Sequence, residues 1–186
     1  MVFLQALGIE RTHFVGLSLG GMIGQTLALK HPGIFLSLAL CDTSSRVPGE
    51  AVAAWNTRIG IARDKGMAAL VDGTIERWFT EPFRASRDDV VAPVRGMIQA
   101  TPVAGFAGCC EAIKNLNLIE LISAIDLPTL IVVGAEDQGT PVAASEAINQ
   151  RIAGSKLVVL DAAAHLSNLE QPAQFNAVLE DFLSQL

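Results

Sequence analysis

Residues 12–21 read THFVGLSLGG, and this stretch changes from one hydrophobic periodicity to another within a few residues. THFVGL (12–17) is a short, near-continuous apolar run, the signature of a parallel strand covered by helices. GGMIGQTLALKH (20–31) is a helical pattern that stops at Pro32-Gly33. Between them Gly16-Leu17-Ser18-Leu19-Gly20 spells G-x-S-x-G. With a strand before and a helix after, glycines two positions either side of the serine are expected to permit a sharp turn that lifts the Ser18 hydroxyl above the strand ends. The same turn points the Leu19 amide toward any oxyanion formed at Ser18, and the helix N-terminus adds favourable partial charge. The plain alternative is a tight strand–helix corner with Ser18 as a helix cap.

A serine hydroxyl is a poor nucleophile at neutral pH and needs a base, which needs an orienting acid. Further strand-like runs occur at Phe35–Cys41 (FLSLALC), Thr129–Val133 (TLIVV) and Lys156–Leu160 (KLVVL). Asp137 follows the third of the four runs in Gly134-Ala135-Glu136-Asp137, and His165 follows the fourth in Asp161-Ala-Ala-Ala-His165. In a parallel sheet the C-terminal strand ends share one edge, so these remote residues can converge on Ser18. Glu136 is the competitor for Asp137, whose shorter arm suits a tight loop. His13 lies inside the first strand and His31 at a helix end, where neither is placed as a base. Asp161 serves to cap a turn.

Helical patterns are expected at Val2–Leu7, Gly20–His31, Pro141–Ile152 and Pro172–Leu186. The last carries one apolar stripe through Phe175, Val178, Leu179, Phe182 and Leu183. From about Arg46 to Ser123 there is no strand-like run. Breaks by Gly, Pro and Asp instead define helices near Glu50–Lys65, Met67–Phe79, Asp88–Ala100 and Ala104–Asn115. The alternation of strands with helices implies an α/β fold with a mainly parallel sheet of about four strands, interrupted by a helical insertion.

Composition narrows the function classes. The 186 residues are 51% hydrophobic and 17% charged with a mean hydropathy of +0.42, which describes a filled core and excludes a disordered chain. A formal charge of −6 and the absence of a basic cluster leave no footprint for a nucleic acid. No apolar run approaches the roughly 18–20 residues of a membrane span. Cys41, Cys109 and Cys110 form neither a disulfide framework nor C-x-x-C metal spacing, which suits a reducing compartment. The opening MVFLQALGIERTH lacks a basic n-region and a small-residue cleavage site, so a cytoplasmic location is expected. Cys41 is expected to be buried, and the adjacent Cys109–Cys110 pair to be inert packing.

Taken together, Gly16–Gly21, Asp137 and His165 resemble the α/β-hydrolases, in which Ser…Asp…His is the chain order. A narrower similarity, to 3-oxoadipate enol-lactonases, rests on ERTHFVGLSLGGMIGQ (10–25), LCDTS (40–44), ERWFTEPFR (76–84), TPVAGFAGCCEAI (101–113), GAEDQGTP (134–141) and AAAHLSNLEQPAQFN (162–176). The resemblance implies a single, partial α/β-hydrolase domain over 1–186, with 46–123 as a helical lid. It implies cofactor-free and metal-free hydrolysis of a small carboxylate-bearing enol-lactone, a step in aromatic-compound breakdown by the β-ketoadipate route. Ser18 would be the nucleophile, His165 the base and acid, Asp137 its orienter, and the Leu19 N–H an oxyanion donor. Trp55, Trp78, Phe79 and Phe106 are candidate linings of the substrate pocket, and Arg58, Arg77 or Arg84 could meet a carboxylate. Haloperoxidase-like perhydrolases and other small-ester hydrolases share the pattern, and a non-catalytic remnant is the rival outside enzymes.

The similarity is to the C-terminal portion of that family, without its upstream strands or the His-Gly loop that donates a second oxyanion amide. Three expectations follow. The Ser18 strand should lie at an apolar sheet edge, the edge should invite self-association or complementation by another chain, and activity of the 186 residues should be weak.

Overall fold

The structure, a computed structural model, describes residues 2–186. A short helix α1 (Val2–Ala6) precedes β1 (Thr12–Leu17), α2 (Leu19–Lys30) and β2 (Phe35–Cys41). Five helices follow before the next strand: α3 (Val52–Lys65), α4 (Val71–Trp78), α5 (Glu81–Ser86), α6 (Asp88–Ala100) and α7 (Val103–Lys114). The chain then returns through β3 (Thr129–Gly134), α8 (Val142–Arg151), β4 (Lys156–Leu160), α9 (Ser167–Glu170) and α10 (Pro172–Ser184). The four strands are parallel and lie in the order β1-β2-β3-β4.

Strand alternation sorts the core into two layers. On one face Leu38 and Leu40 of β2 and Ile131 of β3 pack with Ala28 of α2 and Ile148 of α8. On the other, Ala39 and Cys41 of β2 and Leu130 and Val132 of β3 meet Phe175 and Phe182 of α10. Of the stripe read from the sequence of the last helix, Phe175 and Phe182 are buried and Val178 and Leu179 half-buried, while Leu183 is exposed. The insertion has its own core, in which Ile75 and Phe79 pack with Leu70, Val91, Val94 and Ile98. Its two ends lie side by side: Arg46 and Asn117 form an antiparallel bridge, Val47 N–H donates to the Leu116 carbonyl at 3.1 Å, and Leu118 N–H to Ser45 at 2.7 Å. The insertion therefore departs and returns at one place, beyond the C-terminal end of β2, and the chain then runs on to the start of β3 at Thr129.

Three expectations need correction. The outer strands are not covered on both faces: in β1 His13 and Val15 are exposed, and in β4 Lys156 and Val159 are. Each has only one neighbouring strand, and α10 packs against β3 and β4 but leaves β1 open on its side. Second, the residues from Met67 onward form a 3-10 turn (Met67–Leu70) and then α4, not one helix. Third, α5 was not anticipated. Its signal was Thr80-Glu81-Pro82, with proline in a first helical turn, where its missing N–H costs nothing.

Candidate active site

The turn after β1 delivers Ser18 in a left-handed backbone conformation, φ 54°, that a non-glycine residue adopts only under constraint. The constraint is local: Ser18 N–H donates to the Cys41 carbonyl at 2.8 Å, and Thr43 Oγ1 donates to the Ser18 carbonyl at 2.7 Å. Of the two motif glycines only Gly16 is sterically required, since a Cβ there would lie 2.5 Å from the Gly20 carbonyl carbon. A Cβ on Gly20 would meet open space, which corrects the expectation that both glycines make the turn. The second close approach belongs to Gly21, whose Cβ would lie 2.6 Å from the Thr43 side chain.

Ser18 Oγ is 2.9 Å from His165 Nε2, and His165 Nδ1 is 2.8 Å from Asp137 Oδ2. The three side chains read from three separate strand ends therefore form one hydroxyl–imidazole–carboxylate chain. Asp137 is held by donors beyond the three expected residues: Gly139 N–H at 2.7 Å and Thr140 N–H at 3.0 Å to Oδ1, and Thr140 Oγ1 at 2.7 Å to Oδ2. The D-x-G-T order within 137–140 was the available sign, an aspartate bonding the backbone just beyond it. Burial pushes the Asp137 carboxyl up, but the His165 contact and the Thr140 bonds outweigh it and hold the group below its ordinary value. It is therefore a carboxylate facing Nδ1. Glu136, the competitor, is exposed.

A second carboxyl lies behind this chain. Asp42, at the end of β2 and also in a left-handed conformation (φ 44°), is fully buried. Its Oδ1 accepts from Gly134 N–H at 2.9 Å and its Oδ2 from Ser167 Oγ at 2.6 Å, so it joins the end of β3 to the turn after His165. Burial pushes its pKa up to about 7, against the pull of the Ser167 and Gly134 hydrogen bonds and the nearby His165.

Above Ser18 and His165 opens a cavity of about 360 Å³. Leu19, Trp55, Trp78, Phe106 and Arg77 line it. Phe79 does not: it is 1% exposed and stacks on Phe83 inside the insertion core, against which its neighbour Trp78 also packs. Arg84 is not a lining residue either, whereas Arg58 is, with its guanidinium 4.7 Å from the Trp55 ring. Neither Arg58 nor Arg77 belongs to an ion pair among the described residues, and burial lowers the pKa of both. Cys109 and Cys110 also reach the cavity, and burial pushes the Cys110 thiol up to about 11, which keeps it protonated. Cys41 is buried in the sheet.

The model of the alpha/beta hydrolase fold matches residues 2–172. This chain belongs to the alpha/beta hydrolase family. Among the relatives of this hydrolase-fold chain is 3-oxoadipate enol-lactonase 1 of Acinetobacter baylyi, 32% identical over 183 residues, which cover 98% of this chain and 68% of that protein. The crystal structure of the enol-lactonase from Burkholderia xenovorans superposes with a TM-score of 0.93 at 36% identity, over 98% of this chain and 69% of that one. A thermophilic esterase from Thermogutta terrifontis, solved with malate bound, superposes with a TM-score of 0.91 at 27% identity, again over 98% and 68%. The hydrolase-fold chain thus spans about two thirds of the length of each relative. No helix among the described residues is long and apolar enough to cross a membrane.

Proposed function

We propose that this chain carries the nucleophile, base and acid of a serine hydrolase that opens a small carboxylate-bearing enol-lactone. The observation that carries the reading is the unbroken contact from Ser18 Oγ through His165 to Asp137 at 2.9 and 2.8 Å, at the floor of a cavity. Ser18 Oγ attacks the lactone carbonyl while His165 Nε2 takes its proton, and Asp137 stabilises the imidazolium. The Leu19 N–H, at the first turn of α2, donates to the oxyanion in this reading. Collapse opens the ring by expelling the enolate oxygen, which receives the proton from His165, and leaves an acyl group on Ser18. Water activated by the same imidazole then releases the acid and restores the serine.

The substrate class is supported from two sides. Two half-buried guanidiniums without acidic partners face the cavity, and an arginine stays charged when buried, so an anionic group on the substrate would satisfy them. The relatives include enol-lactonases, and one esterase neighbour holds malate, itself a small carboxylate. Fluorophosphonate labelling followed by peptide mass spectrometry tests the reading: the folded chain should be modified at Ser18 and the Ser18→Ala variant should not. A folded chain that stays unmodified sinks it and favours a non-catalytic remnant. Parallel assays with an enol-lactone, a simple ester and an ester plus peroxide separate lactonase from esterase and perhydrolase.

A further inference from the structure

The loop that carries His165 is fastened to the helical insertion by specific hydrogen bonds. Leu166 N–H donates to the Trp78 carbonyl at 3.0 Å. Glu170 Oε1 accepts from both the N–H and the Oγ1 of Thr80, at 2.9 and 2.6 Å, while Oε2 accepts from Ala164 N–H at 2.6 Å. Glu170 is 7% exposed and belongs to no ion pair among the described residues. Leu166 and Leu169 pack into the insertion core, and the Trp78 ring centre is 6.1 Å from that of the imidazole.

A carboxylate buried without a cation is costly unless donors occupy its oxygens. Here three donors do so. They come from two places that only the Leu166–Trp78 hydrogen bond and the Leu166 and Leu169 packing otherwise hold together: the α4–α5 junction of the insertion, and the residue immediately before the histidine. Seating of the insertion and placement of the imidazole are therefore mechanically one event.

We propose that Glu170 is a positioning residue for His165: by tying Thr80 of the insertion to Ala164, it brings the imidazole to Ser18 only when the insertion is seated over the cavity. The inference rests on His165 being the base of the reaction above. Glutamine cannot replace the carboxylate, because its amide offers one acceptor and one donor and so turns an N–H toward either Thr80 or Ala164. Thr80→Val removes only the hydroxyl bond and keeps the backbone one.

The full chain is compared with Glu170→Gln and Thr80→Val by the rate of fluorophosphonate labelling of Ser18 from about pH 5 to 9, spanning the histidine range. The imidazole Nδ1 proton resonance and thermal melting are followed alongside. Glu170→Gln is expected to label about 10²-fold more slowly, with a displaced pH midpoint and a shifted or lost Nδ1 proton signal. Thr80→Val should do the same more weakly. A Glu170→Gln protein that melts earlier yet labels at the parent rate, with the parent midpoint and the parent proton signal, would overturn the proposal and leave a purely structural staple. Should Glu170→Gln not fold, the same criteria applied to Thr80→Val decide. Should the parent itself fail to label, the hydrolase reading falls. The Nδ1 signal then decides this inference alone: displacement in the variants supports it and an unchanged signal ends it.

Discussion

Strands β1 and β3 are each six residues long, each end beside a glycine that nothing larger could replace, and each hand one member of the Ser18–His165–Asp137 chain to the same rim. Yet β3 is buried at every position, while in β1 Val15 is 47% exposed. The difference lies in what surrounds them. β3 has a strand on either side and helices on both faces; β1 has one strand and one covered face. Where the strands deliver chemistry they are alike: Gly16 and Gly134 are buried, and a Cβ on Gly134 would lie 2.2 Å from the Ala164 carbonyl oxygen. Apolar character thus puts a segment into a sheet, but neighbours decide how deep it lies.

If the rim is equally firm at both strands, catalysis should suffer alike from either. Ser18→Ala and Asp137→Asn should each lower turnover by about 10⁴-fold or more in rate assays. A mild Asp137→Asn phenotype would mean that another acid serves His165. Burial, by contrast, should split the strands. Ile131→Ala in β3 is expected to cost about 2–5 kcal/mol by denaturant unfolding. Val15→Ala in β1 should cost under about 1 kcal/mol. Equal losses would show that β1 is covered in solution.

Asp42 sharpens the comparison at the junction between the strands. Its folded pKa, about 7, lies above its unfolded value of 3.8. Between these values the folded state holds a proton that the unfolded state has lost, so stability falls as pH rises through that window and is flat above it. The slope is at most about 1.4 kcal/mol per pH unit. Asp42→Asn, which suits the left-handed conformation and has an acceptor for Gly134, should flatten that decline in melts taken across the window. Opposed to it, the stability carried by Asp137 is present above the ordinary carboxylate range and lost as pH falls through its depressed value. The smallest effect is expected at the open strand: Val15→Lys should change stability by less than about 0.5 kcal/mol while reducing any self-association seen by sedimentation. Unaltered association would place the sticking surface elsewhere.

Much of the fold was legible from residue order because its signals are local. The bounds of β1, β2 and β4 follow from apolar runs ended by Gly, Asp or a turn, and Ser18, Asp137 and His165 stand out because each directly follows such a run or lies one loop beyond it. What escaped the sequence was non-local. Phe79 and Trp78 are equally apolar neighbours, and only the folded arrangement buries the first in the insertion core and leaves the second between that core and the cavity. Glu170 meets Thr80, 90 positions away.

The chain's own order of residues determined the alternation of strand and helix, the place where helices interrupt the sheet, and which three side chains reach its rim. Those depend on periodicity and on turn chemistry, both of which act over a few residues. Tertiary structure alone decided how far β1 is covered, which guanidiniums face the cavity, and that a buried glutamate joins the insertion to the residue before the histidine. Each of those turns on which distant atoms come within hydrogen-bonding or van der Waals reach, a matter of the folded arrangement rather than of neighbouring letters.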